Sequence, residues 1–487
     1  MPPPDGAAAD FFAALRTAEF GRLDEGGHVY LDHTGAALPP RSLVLASAQR
    51  VVGGCYGNPH SESPASRASG LLLAEARQAV LRHFHADPAE YAVIFTPNAT
   101  GALRLVGEAY PFTSRDRLVL PLDNHNSVNG LREYARARGA RTVYVPLGGP
   151  GLTVDEKQLR AALPPRRRKG GAGRRRGLFA YPAQSNFTGV QHPLEWAAAA
   201  QRRGYDVLLD AAAFVPTNVL DLGRHHPDFV AVSWYKVFGH PTGVGSLIAR
   251  REALARLCRP WFSGGTVHAV SAQAQWHVLA ADESAFEDGT VDFLSLPDVT
   301  AGLEWINGIG MDRVHAHIAV LTGRLLTGLR TLRHSDGSPL VRLYGPDGGG
   351  VPYGDVPDGG PYRASPRGGT VALNLLGADG QVVDERIVAR DSARRGISLR
   401  TGCFCNPGAG EAAFALPPRR LRRAAKRQLN SLEDYLELLR LPSAGAIRLS
   451  LGLSSQPADI DAFLTFAADT YRDRTPTTAG LAPREGC

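Results

Sequence analysis

One stretch of the chain reads Phe229-Val-Ala-Val-Ser-Trp-Tyr-Lys-Val-Phe-Gly-His-Pro-Thr-Gly-Val-Gly245. Its first four residues form the continuous apolar run that is typical of a strand buried on both faces of a sheet. Glycines follow within a few residues, so the strand leads into a turn. In α/β folds, ligands bind in the crevice beyond the carboxyl ends of the strands. The stretch therefore predicts an α/β fold and places Lys236 beside a ligand site.

Similar short β-like runs alternate with helical stretches between about residues 28 and 250. The predicted strands are 91–95, 117–122, 141–145, 177–181, 206–210, 229–233 and 245–249. The predicted helices between them are 101–109, 129–138 and 194–203. Strands and helices that alternate in this way predict a mainly parallel sheet.

The pattern changes in the second half of the chain. A helical connector is predicted over 298–335, and a Gly- and Pro-rich irregular loop over 345–369. The remaining predicted elements are strands at 370–375 and 446–451 and helices at 382–394 and 457–471. We therefore expect four parts: a helical N-terminal segment 1–27, a large domain 28–300, a connector with a small α+β domain 301–472, and a flexible tail 473–487.

Composition is that of an ordinary soluble globular protein, with 44% hydrophobic and 21% charged residues in a chain of 487. This balance excludes a mostly disordered chain. No apolar run approaches the ~18–20 residues of a membrane span, and the N-terminus lacks the pattern of a secretory signal. Five sparse cysteines fit a reducing compartment. Together these features predict a cytoplasmic protein without a membrane anchor.

The net charge of +7 is concentrated in one loop, 164–177, which carries seven cations in fourteen residues. A solvated surface loop is one interpretation, and a docking patch for an acidic partner or nucleic acid is the other. No aromatic residue stands among the basic ones, which argues against a stacking platform for single-stranded nucleic acid.

Lys236 is one of only four lysines in the chain. An amine beside Trp234 and Phe238 is partly removed from water, which lowers its pKa and makes it a usable nucleophile toward a carbonyl. A Schiff-base lysine for pyridoxal 5′-phosphate (PLP) needs this property. The alternative is a surface lysine that keeps its charge in water.

Three further segments favour the PLP hypothesis. Asp210 ends a predicted strand with a carboxylate, which could pair with a protonated pyridine nitrogen or cap the next helix. In Phe95-Thr-Pro-Asn-Ala-Thr100, a strand passes through a turn into a helix, where backbone N–H groups and the Thr100 hydroxyl could bind an anion. His125 follows the run 117–122 and could lie flat on an aromatic ring, or be structural.

Seven segments carry a resemblance that spans about residues 28–455. They are Tyr30-Leu-Asp-His-Thr-Gly-Ala-Ala-Leu38, Tyr56-Gly-Asn-Pro-His-Ser61, Phe95-Thr-Pro-Asn-Ala-Thr100, His125-Asn-Ser-Val128, Leu209-Asp-Ala-Ala212, Ser233-Trp-Tyr-Lys-Val-Phe-Gly239 and Arg400-Thr-Gly-Cys-Phe-Cys-Asn-Pro-Gly408. Together they resemble the class V aminotransferase group of fold-type I PLP enzymes, and within it the cysteine desulfurase branch. The resemblance is strongest to the N-terminal, NifS-like domain of molybdenum cofactor sulfurases.

The resemblance implies a fold-type I PLP-dependent transferase, with helices on both faces of the sheet, that acts as a homodimer. PLP is the implied cofactor, and no metal is implied. Lys236 would form the Schiff base, Asp210 would pair with the pyridinium nitrogen, and His125 would stack on the ring. Asn186 would bond the phenolic oxygen of the cofactor.

The same resemblance implies how the anionic groups are bound. Thr100, Gly101 and Ser233 would hold the phosphate, helped by Thr266 from a partner subunit. Arg448 is the candidate clamp for the carboxylate of the substrate L-cysteine, because a guanidinium fork matches a carboxylate at two points. Arg400 is the second candidate.

Cys405 aligns with the sulfur-accepting cysteine of the branch. Its thiolate would attack the substrate sulfur, leave a persulfide on the enzyme and release alanine. We expect Gly402, Pro407 and Gly408 to make this loop mobile. Other interpretations of Cys403 and Cys405 are two small buried residues or part of a metal site, and the lack of a second matching pair argues against zinc.

The chain departs from the relatives at two points, and the second, the MOSC domain, leaves the acceptor of the sulfur open. Ala213 stands where many desulfurases have a glutamine that bonds the phenolic oxygen. The sulfurases carry a further MOSC domain, which we expect this chain to lack. The acceptor could be a molybdenum cofactor, a carrier protein or a metabolite. The alternatives are a class V lyase, epimerase or aminotransferase without a persulfide, and a scaffold that docks an acidic partner through the basic loop.

Overall fold

The computed structural model describes residues 5–165, 177–346, 367–424, 432–439, 441, 443, 445–478 and 480–481. Most of the basic loop 164–177, most of the predicted irregular loop 345–369 and the end of the predicted tail lie outside the described residues.

The elements are numbered in chain order. The strands are β1 Val29–Tyr30, β2 Tyr91–Thr96, β3 Arg117–Pro121, β4 Arg141–Val145, β5 Leu147–Gly148, β6 Thr153–Val154, β7 Gly177–Pro182, β8 Asp206–Asp210, β9 Phe229–Ser233, β10 Gly245–Arg250, β11 Val267–Ser271, β12 Trp276–Leu279, β13 Val341–Tyr344, β14 Thr370–Leu375, β15 Ile397–Ser398, β16 Arg400–Gly402 and β17 Ala446–Ser450. The helices are α1 Asp5–Phe20, α2 Arg22–Glu25, α3 Arg41–Gly53, α4 Pro64–His83, α5 Ala99–Ala109, α6 Asn126–Asn129, α7 Leu131–Ala137, α8 Glu156–Ala162, α9 Trp196–Arg202, α10 Trp234–Phe238, α11 Arg251–Leu254, α12 Pro297–Ile309, α13 Met311–Thr331, α14 Glu385–Arg394, α15 Pro407–Ala413, α16 Pro418–Ala424, α17 Leu432–Leu439 and α18 Pro457–Tyr471.

The central sheet has seven strands in the order β2-β10-β9-β8-β7-β3-β4. Its members are the seven strands predicted from the sequence. β10 runs antiparallel to both of its neighbours, β2 and β9, and the other pairs are parallel. The predicted mainly parallel α/β sheet is therefore confirmed.

Both faces of this sheet are covered, as the apolar runs predict. Alternate residues of one strand enter different hydrophobic clusters: Val207 and Leu209 belong to the cluster on one face, and Leu208 to the cluster on the other. A strand that is buried on both faces has no polar face, so its sequence is a continuous apolar run and not an alternation of apolar and polar residues.

A smaller sheet follows, with four strands in the order β13-β14-β17-β16. All of its pairs are antiparallel, and α14 contacts it. The predicted helical connector proves to be two helices, α12 and α13. They are separated at Gly310, whose φ of 92° lies outside the helical region. The division into the four predicted parts remains our proposal.

Residues 29–32 pair with strands from the C-terminal part of the chain. β1 pairs in parallel with β15, and Asp32 forms an isolated bridge with Ser450 at the end of β17. This pairing brings Asp32 close to the C-terminal arginines. Within the described part of the chain, no helix is both long and apolar enough to cross a bilayer.

Candidate active site

Five parallel strands, β2, β3, β7, β8 and β9, end at the same edge of the central sheet. A cavity of about 320 Å³ lies beyond that edge, a size usual for small-molecule pockets. The predicted site residues that line it are Thr100, His125, Asn186, Asp210, Ser233 and Lys236. The sequence argument from strand ends therefore brings six predicted residues together.

Lys236 lies in the short helix α10, which begins directly after β9. The left-handed Gly239 ends this helix, and the buried Trp234 fixes it by donating from Nε1 to Ser246 Oγ at 2.9 Å. Burial lowers the pKa of Lys236, whereas the nearby Asp210 carboxylate raises it. The amine is therefore neutral more often than that of an ordinary lysine.

Asp210 is the last residue of β8 and is buried. Its Oδ1 accepts a hydrogen bond from the Ala212 backbone N–H at 3.1 Å. Its charge acts on both Lys236 and His125, since it raises the pKa of each. A buried carboxylate in this position requires a cationic partner.

The turn between β2 and α5 forms a cradle of hydrogen-bond donors. Ser233 Oγ accepts from the Ala99 backbone N–H at 2.9 Å, which leaves its hydroxyl hydrogen available to an anion. A Cβ on Gly245 would lie 2.5 Å from a backbone atom of Asn98, so only glycine fits there. The Gly101 N–H donates to Asn98 Oδ1 at 3.0 Å as part of the helix cap, and its predicted phosphate contact stays a prediction.

His125 is held in one tautomer by the backbone. The Ser127 N–H donates to His125 Nδ1 at 3.1 Å. Because Nδ1 accepts, the neutral ring carries its hydrogen on Nε2. Burial lowers the pKa of His125, which favours the neutral form. Ser127 Oγ also lies 2.8 Å from Thr100 Oγ1 and so connects the histidine to the anion cradle.

The Cys405 loop is attached to the wall of the cavity. The Asn126 backbone N–H donates to the Cys405 carbonyl at 2.7 Å, and Asn186 Nδ2 donates to the Phe404 carbonyl at 2.8 Å. Asn126 follows the cavity residue His125, and Asn186 lines the cavity itself. Cys405 is a free, exposed thiol. The structure therefore places the backbone of the Cys405 loop beside the wall of the cavity that Lys236 lines.

The two candidate arginines share one carboxylate. Arg448 Nη2 bonds Asp32 Oδ1 at 2.7 Å, and Arg400 bonds Asp32 Oδ2 at 3.0 Å. Arg448 is buried and Arg400 is exposed. Arg448 Nη1 donates to the carbonyl of Asn186 at 3.1 Å, and its Nε has no partner in the described part of the chain. Arg448 is thus the arginine that approaches the cavity wall.

Thr266 does not join this group within the single chain. It is buried, and its hydroxyl donates to the Ser263 carbonyl at 2.9 Å and accepts from the Ser263 N–H at the same distance. Its predicted contact belongs to a partner subunit, so the single chain cannot test it.

Sequence reasoning missed two residues that organise the site. Asp32 pairs with both Arg400 and Arg448. The signal that could have found it is its place in the segment 30–38, one of the segments that carry the resemblance. Asn406 caps α15 by accepting from the Ala409 N–H at 3.2 Å, and its place before Pro407 is a signal for a helix start. The expectation that Gly402, Pro407 and Gly408 make this loop mobile stays a prediction, but two of these residues also have structural roles. Pro407 begins α15, and a Cβ on Gly408 would lie 2.0 Å from the Leu122 carbonyl oxygen, so that glycine serves close packing.

The sequence pattern described as aminotransferase class-V matches residues 29–348. The chain belongs to the class V aminotransferase family. It is 34% identical to the molybdenum cofactor sulfurase of Bos taurus over 97% of this chain and 54% of that protein. It is 32% identical to the one from Arabidopsis thaliana over 94% of this chain and 58% of that protein. The chain therefore spans a little more than half the length of these relatives.

Two similar solved structures are cysteine desulfurases. The apo enzyme from Thermococcus onnurineus matches with a TM-score of 0.73 at 22% identity, over 94% of this chain and 97% of that one. An enzyme from Escherichia coli matches with a TM-score of 0.69 at 21% identity, over the same shares. At these identities the likeness confirms the fold-type I architecture.

PLP is the cofactor of this family, and the residues present fit it. The donor cradle at Thr100 and Ser233 suits a phosphate. The buried carboxylate of Asp210 suits a pyridinium nitrogen, and the amine of Lys236 suits the aldehyde. The flat neutral ring of His125 lines the same cavity.

Proposed function

We propose that this protein is a PLP-dependent cysteine desulfurase that takes sulfur from L-cysteine onto Cys405. The observation that carries the proposal is the double attachment of the Cys405 loop to the cavity wall through Asn126 and Asn186. A class V enzyme without a persulfide step has no need of a thiol in that place.

The cofactor, when bound, withdraws electrons from the substrate α-carbon and so labilises its neighbouring bonds. Lys236 supplies the amine that holds the cofactor, and because burial lowers its pKa, its neutral form can accept a proton more often than that of an ordinary lysine. Asp210 would pair with the protonated pyridine nitrogen of the cofactor and so stabilise its positive charge. His125, which lines the cavity in its neutral form, carries a hydrogen on Nε2 and can donate a hydrogen bond.

Arg448 orients the substrate. Its guanidinium is buried and lies next to the cavity residue Asn186. Water therefore competes little with a carboxylate for its hydrogen bonds. Asp32 holds one end of the fork at 2.7 Å, which limits the rotation of the guanidinium. The amino acid is therefore anchored by its carboxylate while its side-chain sulfur is presented to the Cys405 loop.

The sulfur step balances as a thiol displacement. The Cys405 thiolate forms a sulfur–sulfur bond with the substrate sulfur, and the carbon–sulfur bond of the substrate breaks. The electron pair of that bond remains with the substrate carbon, which gains a proton and leaves as alanine. No external oxidant or reductant is needed. Thiolate fraction and access set the rate of such attacks.

The test is single-turnover mass spectrometry of the Cys405 peptide after incubation with L-cysteine. We expect the peptide to gain one sulfur atom and one equivalent of alanine to appear. Cys405→Ala should keep the cofactor absorbance and lose the bound sulfur, whereas the control Cys258→Ala, another exposed free thiol, should behave as the parent. Alanine-free turnover of another amino acid would instead favour the lyase, epimerase or aminotransferase alternative.

We further propose a molybdenum cofactor as the first acceptor to test, because the relatives at 34% and 32% identity are named for it. Adding that cofactor should remove the bound sulfur from Cys405. Adding the same concentration of the metal-free pterin should leave the sulfur on Cys405. Equal discharge by both would point to a different acceptor.

A homodimer in the cytoplasm is our proposal for the assembled state. The β11–β12 hairpin, which adjoins Thr266, exposes three large apolar side chains: Val270 at 51%, Trp276 at 50% and Val278 at 53%. Trp276→Glu should shift the protein toward monomer and weaken PLP binding, because Thr266 would no longer reach a partner's phosphate. Sedimentation velocity tests this, and a monomeric parent protein would contradict it.

A further inference from the structure

The turn that carries Cys405 adopts an unfavourable backbone conformation. Phe404 and Cys405 both lie in the left-handed region, with φ of 54° and 52°. Residues with a side chain rarely adopt this conformation, and two in succession persist only where the surroundings hold them. The position of the thiol is therefore maintained by something other than the local preference of the chain.

Asn406 supplies that restraint. Its side chain is buried, and Nδ2 donates to the Asp123 carbonyl at 2.8 Å and to Asn186 Oδ1 at 2.9 Å. Its Oδ1 accepts from the Ala409 N–H at 3.2 Å. Both hydrogens and the oxygen of this amide are thus engaged, one toward the loop after β3, one toward the loop after β7, and one toward α15.

The two anchors of Asn406 are themselves fixed. The carboxylate of Asp123 contacts His192 Nε2 at 2.8 Å, and both groups are buried. Asn186 passes the restraint on, because its Nδ2 donates to the Phe404 carbonyl at 2.8 Å. A continuous set of hydrogen bonds therefore runs from Asp123, in the loop after β3, through Asn406 and Asn186 to the carbonyl of Phe404.

This arrangement gives Asn186 a second role beside the predicted one. The bond to the phenolic oxygen of the cofactor that the resemblance implies stays a prediction, and Oδ1 and one hydrogen of Nδ2 are engaged with Asn406 and Phe404. Asn186 still lines the cavity. Its amide therefore joins the cofactor cavity to the Cys405 turn.

We propose that Asn406 is a positioning residue for sulfur transfer, which holds the Cys405 turn against the cavity through Asn186 and Asp123. The inference rests on the proposed function, since it assumes that Cys405 accepts the sulfur. It predicts that loosening Asn406 slows the attack on substrate sulfur while leaving cofactor and substrate binding in place.

The variant that separates these effects is Asn406→Ser. A serine oxygen can still cap α15, but it cannot donate to Asp123 and Asn186 as the amide does. Asp155→Ser is the matched control, because Asp155 caps α8 by accepting from Lys157 N–H at 2.7 Å. Asn406→Asp is a second variant that keeps the shape and the cap oxygen while removing the donor hydrogens.

Two rates are measured in single turnover with L-cysteine: the change in cofactor absorbance on substrate binding, and the appearance of sulfur on the Cys405 peptide. We expect Asn406→Ser and Asn406→Asp to bind substrate within about twofold of the parent and to form the persulfide about 10- to 100-fold more slowly, as a misplaced reacting atom would. Asp155→Ser should change neither rate. Unchanged persulfide formation in the Asn406 variants, or equal loss of both rates, would overturn the proposal.

A measurement on the parent protein keeps the proposal testable if the variants fail to fold. Hydrogen exchange should show the Asn126 amide, which bonds Cys405, to be protected as strongly as the amides of β3. Rapid exchange at Asn126 would contradict a held turn. Failure of the proposed function is distinguishable, because the parent protein would then form no persulfide at all.

Discussion

At the scale of single residues, opposed charges decide what each group can do. Asp210 raises the pKa of Lys236, and burial and Arg448 lower it. Burial also lowers the pKa of His125, so the cavity holds a neutral imidazole beside an amine that loses its proton easily. Arg448 remains a cation in the same region and is balanced by Asp32. Among the residues that the structure describes, Arg448 is therefore the arginine next to the cavity wall that we expect to bind an anion.

The two arginines give a prediction at this scale. Arg448→Lys should raise the KM for L-cysteine about 10- to 100-fold with a smaller change in kcat, because a lysine cannot replace a buried two-point contact worth about 1.5–3 kcal/mol. Arg400→Lys should have a much weaker effect, because Arg400 is exposed. Steady-state kinetics of alanine release measures both. A larger increase in KM for Arg400→Lys than for Arg448→Lys would show that Arg400, and not Arg448, binds the substrate carboxylate.

At the scale of elements, the apolar runs predicted all seven central strands because burial on both faces leaves a simple signal. The helix boundaries were less well predicted. The predicted helix 129–138 is divided into α6 and α7 around Gly130, and the connector is divided at Gly310. The position of each division depends on the direction in which the chain must turn to pack. The spacing of apolar residues does not contain this information.

The loop after β16 gives the prediction at this scale. Gly408→Ala would place a Cβ 2.0 Å from the Leu122 carbonyl oxygen, and overpacking of this kind typically costs about 1–3 kcal/mol of unfolding free energy. Gly410→Ala is the matched control in the same helix, because its Cβ would lie 3.9 Å from a ring atom of Phe187, an ordinary van der Waals distance. Urea unfolding of the two variants measures the difference. Equal stability would show that the loop shifts freely.

At the scale of the whole molecule, residues far apart in sequence build the site, and this limits what the sequence predicts. Strand ends placed Lys236, Asp210 and His125 together because one sheet edge gathers them. Asp32 and Asn406 escaped prediction, since their roles come from contacts with Arg448 and Asp123, hundreds of positions away. Pairwise tertiary contacts of this kind leave no periodic signal.

A buried histidine where the N-terminal segment meets the C-terminal part links the whole fold to pH. Burial lowers the pKa of His33 to about 4, whereas an unfolded histidine has a pKa near ~6.5. Below ~6.5 the unfolded chain therefore binds the proton and the folded chain does not, so stability falls as the pH drops from ~6.5 toward ~4, by up to about 3 kcal/mol. Above a pH of ~6.5 the histidine is neutral in both states, so it causes no loss of unfolding free energy.

The measurement is urea unfolding at several pH values between 4.5 and 7.5. His33→Gln should show a shallower loss of unfolding free energy with acid than the parent, although its stability at neutral pH is lower because the contact with Ser454 is altered. His268→Gln, on an exposed position, should follow the parent. Identical acid slopes for the parent and His33→Gln would contradict the assignment.

The pairing of β1 with β15 and the bond between Asp32 and Arg448 have a consequence for biosynthesis. A nascent polypeptide that has left the ribosome only as far as Lys236 already contains the amine but lacks the thiol, the guanidinium and the partner strand of its own N-terminal segment. Assembly of the complete site must therefore wait until translation is nearly finished, because Cys405 and Arg448 are the last of its residues to be made.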